Sequence, residues 1–164
     1  MLSPEILKAS TVLKAMVESL LKSKNDPRFT VEMKSFGHIR NEVCYGCAAT
    51  VTLMELFGGG KSASELMIDH AKTQTYESGI AYVHFSDVVR LDPPVFQNSR
   101  TIVLEDLEDA VDYARKGGVS WLIEYLTGEQ NQSFDSRWIL EDQNWEEQIP
   151  EIKKTITEMI AAGL

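Results

Sequence analysis

Positions Ile6, Ser10, Leu13, Val17 and Leu20 recur at intervals of four and three, the spacing of one face of an α-helix, and Ser3 followed by Pro4 supplies a cap and a first helical residue. This pattern predicts an amphipathic helix that ends at Asn25-Asp26-Pro27. Phe29, Val31 and Met33 then alternate as in a strand, although Phe29, Met33 and Phe36 also share a helical face; a strand is the expectation for 29–36. Gly37 to Asn41 reads as a polar loop. From Val43 to Phe57 only Thr50, Thr52 and Glu55 are clearly polar, which predicts a helix apolar nearly all round and therefore internal.

Gly58 to Gly60 stop that helix, and Ser62 with Glu65 three residues on forms a capping-box signature for a helix reaching about Thr75. Ile80 to Phe85 is β-branched and aromatic and predicts a strand; Val88, Val89 and Leu91 leave its end open before Pro93-Pro94. Leu104, Leu107, Val111 and Ala114 mark the next helix. Its first turns carry Glu105, Asp106 and Glu108, and Arg115 and Lys116 precede Gly117-Gly118, so its charges complement its dipole. A short apolar helix over Trp121 to Leu126 stops at Gly128, a polar loop runs to about Ser136, and Trp138-Ile139-Leu140 reads as a brief strand or turn. Asn144 with Glu147 resembles a cap, but Pro150 predicts a break near Gln148 and a helix from Pro150 onward with Ile152, Ile156, Met159 and Ile160 as its stripe.

The elements sum to a mainly α fold, α+β at the margin. The expectation is a single compact domain over 1–164, built around a buried central helix at 43–57 with two or three short strands. A chain of 164 residues with 43% hydrophobic content is long enough to bury a core. No apolar run approaches the roughly 18 residues that span a bilayer, and the start lacks an export signal, so a cytoplasmic protein without a membrane partner is expected. Two cysteines in such a chain are expected to be reduced.

Charge changes the picture. Residues 1–82 hold nine Lys and Arg against nine Asp and Glu, whereas 83–164 hold seven against sixteen, so the whole net charge of −9 lies in the second half. Such a field repels nucleic acid and favours a basic partner, although a solvated acidic face explains the same residues.

Two motifs stand side by side in CYGCAATVTLMELFGGGKS, residues 44–62. A phosphate loop ending in Gly60-Lys61-Ser62 requires glycine at position 55, where Glu55 stands; a helix stop and restart accounts for these residues better. Cys44 and Cys47 have dithiol spacing, and on one helix face they are candidates for a redox pair or, with His38, for part of a metal site. Further ligands are limited to His70 and His84, and no second cysteine pair exists. The small residues Gly46 to Thr50 equally suit close helix packing with both thiols buried. No cofactor motif is present.

The three histidines and many carboxylates define no catalytic triad. Glu105, Asp109 and Asp112 on the acidic helix, with Trp138 and Trp145, are instead candidates for a surface that binds a basic protein. The expected function is a non-catalytic, cytosolic interaction or regulatory module with an acidic C-terminal half, neutralising a basic partner in the manner of an immunity protein. The alternative is a thiol-dependent redox enzyme or sensor using Cys44 and Cys47.

Overall fold

The computed structural model of the protein describes residues 7–74, 79–89, 95–97, 100–102, 104–117, 119–128 and 138–164. Among these residues the chain is a mainly α domain with a small four-stranded sheet. The first helix, α1, spans Ala9–Lys24 with Lys8 as its N-cap, later than the expected start; it buries Ser10, Leu13, Val17 and Leu20 of the predicted stripe together with Val12 and Met16, while Ser3, Pro4 and Ile6 lie outside the described residues. It packs on the central helix, on the last helix and on the first strand, which makes it the spine of the core.

The sheet is built from β1 (Phe29–Val31), β2 (His38–Arg40), β3 (Val43–Gly46) and β4 (Ile80–Tyr82), in the order β1-β3-β2-β4. β3 runs parallel to β1 and antiparallel to β2, and β2 is antiparallel to β4. Its register explains why one face reads as core. Phe29, Cys44, Ile39 and Ala81 align across the four strands and are all buried, while Thr30, Tyr45, His38 and Tyr82 align on the other face, where Tyr82 is 70% exposed.

Two segments depart from the sequence expectation here. Gly37 to Asn41 is largely strand rather than loop, and Val43–Gly46 is strand rather than the start of the central helix. The reason is a tight β2–β3 hairpin: Arg40 pairs with Val43, and the two connecting residues, Asn41 and Glu42, have φ of 52° and 65°. A two-residue turn with both φ values positive is the type I′ connection, whose twist matches paired strands; without a glycine it left no signal in the sequence.

The central helix, α2, therefore starts later, at Ala48, and runs to Phe57. Of its residues Glu55 alone is not buried, as expected for a helix apolar nearly all round. Gly58 caps it, and α3 (Ala63–Ala71) begins at Ser62, whose hydroxyl accepts from the Glu65 N–H. The glycine-lysine-serine stretch is a helix stop and a helix start. α3 ends at Ala71, with Lys72 as its C-cap, short of the expected reach to about Thr75, which itself lies outside the described residues.

After β4 comes one turn of helix, α4 (Phe85–Val88), and then a hairpin of β5 (Val95–Gln97) and β6 (Arg100–Ile102) that the sequence reading did not anticipate. Helices α5 (Leu104–Gly117) and α6 (Ser120–Thr127) follow as expected, with Gly128 in the left-handed conformation closing α6. Trp138–Leu140 forms no strand. The last helix, α7 (Trp145–Ala161), is continuous through Pro150, contrary to the expected break. Pro150 and Glu146, the residue four back whose carbonyl loses its helical donor, both lie exposed, where solvent replaces the missing bond. Ile152, Ile156 and Met159 are buried as the stripe predicts, whereas Ile160 is 61% exposed.

Candidate functional site

Helix α5 is amphipathic in the strict sense. Leu107, Ala110 and Val111 are buried, so its three- and four-residue spacing turns Glu105, Glu108 and Asp109 outward, with Asp112 half-buried below them. The segment His84–Val88 meets this acidic stripe. His84 is the N-cap residue of α4: its backbone carbonyl accepts from the Asp87 N–H at 3.0 Å, and its backbone N–H donates to Asp87 Oδ2 at 3.0 Å. The two bonds fix the backbone from which the imidazole projects. The next residue but one, Ser86, donates from Oγ to Glu108 Oε1 at 2.5 Å and ties the two elements together.

Between them lies an open cleft of about 420 Å³ lined by Phe36, His84, Phe85, Glu108, Asp109 and Asp112. Phe36 and His84 form one wall, their rings 5.6 Å apart and inclined by 46°. Glu108, Asp109 and Asp112, all from α5, add three acidic residues to the lining. Aromatic faces attract cations and carboxylates pair with them, so the lining combines two kinds of group that favour positive charge.

The sequence candidates are distributed unevenly around this site. Asp109 and Asp112 line the cleft; Glu105 is exposed at the start of α5 but is not part of the lining. Trp138 is half-buried against the core, its carbonyl accepting from the Val119 N–H at 3.4 Å. Trp145 corrects the expectation of a partner-facing surface: it is 4% exposed, because it is the first residue of α7 and packs inward with Ile149 and Ile152. Phe36 and Phe85 are the lining residues that the sequence assigns to no site, and His84 stood there only as a possible further metal ligand. Glu108 stood out as part of an acidic group, but no pattern in the chain pairs α5 with residues 36 and 84–85.

The cysteines are not on one helix face. Cys44 lies in β3 and Cys47 is the N-cap residue of α2, with 0% and 2% exposure respectively. Both are free thiols. The Cys44 S–H points to the Ser64 carbonyl at 4.0 Å, and Cys47 Sγ lies 3.4 Å from Thr50 Oγ1. Burial first, and the Asp26 carboxylate second, push the Cys44 thiol up to about 11 against the pull of Arg28, which keeps it protonated at neutral pH.

His38 is separated from Cys44 by the pleat itself: Ile39 shares the inward row with Cys44, so His38 faces the other way. There it stacks on Tyr45 at 4.7 Å, its Nδ1 is 2.7 Å from Ser35 Oγ, and burial holds its pKa below the ordinary imidazole value. Among the described residues no three His, Cys, Asp or Glu side chains are grouped to hold a metal ion. Also among them, no helix is long and apolar enough to cross a membrane. Comparison of the chain with protein-family models, with curated proteins and with solved structures finds no match in any of the three.

Proposed function

We propose that the protein is a non-catalytic, cytoplasmic interaction module that neutralises a basic protein partner, and that the partner inserts a cationic side chain into the cleft between α4 and α5. The observation that carries this reading is the lining itself: Glu108, Asp109 and Asp112 share one cleft with the Phe36–His84 ring pair. The confinement of the net charge of −9 to residues 83–164 supports it, since α4 and α5 both belong to that half. A field of one sign steers a basic partner to the cleft and speeds encounter at low salt. The free, buried thiols of Cys44 and Cys47 suit a reducing compartment and a packing role.

An alternating Lys-Arg peptide titrated calorimetrically at low and high salt tests the reading. The native protein is expected to bind with an affinity that falls as salt rises. The combined variant Glu108→Gln, Asp109→Asn, Asp112→Asn is expected to bind at least about tenfold more weakly, a loss of about 1.4 kcal/mol. Absence of binding, or equal binding by the variant, overturns it.

A further inference from the structure

We propose that the cleft is an arginine receptor: it selects a guanidinium carried on a partner's surface over a lysine ammonium. This rests on the reading above and narrows it. The carboxylates of Glu108, Asp109 and Asp112 line a cavity of about 420 Å³, yet they are not grouped as metal ligands. Charges spread along a helix in this way match a cation whose own charge is spread over a plane and whose donors fork outward.

The aromatic wall adds the second requirement. Phe36 and His84 incline at 46° to each other, so the lining that carries the carboxylates also carries two rings in different planes. A guanidinium stacks flat on a ring while its N–H fork reaches carboxylate oxygens, whereas an ammonium is compact, strongly hydrated and loses more water on entry. The wall is also held in place. The backbone bonds between His84 and Asp87 and the Ser86 bond to Glu108 restrain two lining residues before any ligand arrives, which lowers the ordering cost of binding. The cleft is open to solvent, so a side chain on a folded partner can enter it.

Three end-blocked peptides that differ only at a central Arg, Lys or citrulline, together with free arginine, distinguish the possibilities by titration calorimetry. The Arg peptide is expected to bind at least tenfold more tightly than the Lys peptide, with citrulline and free arginine weaker still. His84→Asn places a residue suited to the N-cap and removes the ring, and it is expected to shrink the Arg-to-Lys ratio at least threefold while thermal melting stays close to that of the native protein. Equal affinity for Arg and Lys overturns arginine selection and leaves the basic-partner reading standing. Free arginine binding as tightly as the peptide overturns the assignment to a protein-borne side chain. Failure of every peptide to bind overturns both.

Discussion

The Ser64 hydroxyl donates to the Asp26 carboxylate, joining the first turn of α3 to the turn that follows α1. Asp26 is a hub: it also accepts from the Arg28 backbone N–H at 2.9 Å and from the Arg28 guanidinium at 3.1 and 3.2 Å. Its side chain is 14% exposed.

This hub predicts acid sensitivity. Burial by itself raises the Asp26 pKa, but the hydrogen bonds from Arg28 and Ser64 outweigh it and lower the value to about 2 from an ordinary 3.8. A depressed carboxylate stabilises the fold above its unfolded pKa and loses that contribution as pH falls through the folded value. Stability on the order of 1–2 kcal/mol is therefore expected to disappear between about pH 4 and pH 2. Urea unfolding across this range should show a shallower acid limb for Asp26→Asn than for the native protein. Identical limbs would remove Asp26 from the account.

Cys44 predicts the opposite edge. Its thiol is raised to about 11 from 9.0, so the neutral form stabilises the fold fully below about pH 9 and the contribution is lost as pH rises through 11. The expected loss is on the order of 2 kcal/mol, absent in Cys44→Ala. Thiol-disulfide reagents at neutral pH are expected to label Cys44 and Cys47 at the rate of unfolding; labelling of the native protein as fast as a free peptide would refute their burial.

Glu42 carries a φ of 65°, a conformation that costs a non-glycine residue about 1 kcal/mol. Glu42→Gly is expected to raise stability by roughly 0.5–1 kcal/mol, read as an increase in the denaturation midpoint without change in slope.

Gly37 is the reverse case. Its φ is +152°, and a Cβ there would lie 2.0 Å from the Val83 carbonyl oxygen, which accepts no displacement without moving β4. Gly37→Ala is expected to destabilise by about 2–4 kcal/mol, measured by thermal melting. Because Phe36 and His84 flank this contact in sequence, a folded Gly37→Ala protein is also expected to bind basic peptides more weakly.

Helices were the legible part of the chain wherever periodicity and punctuation agreed. Ser62 and Glu65 mark the start of α3, and the leucine-valine spacing of 104–114 marks α5, because helix signals are local. The sheet was half legible. Phe29–Val31 and Ile80–Tyr82 show as strands, but Val43–Gly46 runs straight into an apolar helix, and an apolar run of that kind carries no period that separates the two states. The cleft divides likewise. Asp109 and Asp112 announce themselves by charge, whereas Phe36 and His84 become neighbours only through the register of β2 with β4 and the close backbone approach at Gly37.

That register also orders the sheet in time. The β2–β3 hairpin is closed by two residues, while β1 and β4 must each find their partners across a longer loop, one on either flank of the hairpin. Short-range pairing forms within microseconds and long-range pairing waits for loop closure. The hairpin is thus expected to form first and to template the two outer strands. If the turn forms early, relief of its positive φ at Glu42 is expected to quicken refolding more than it slows unfolding.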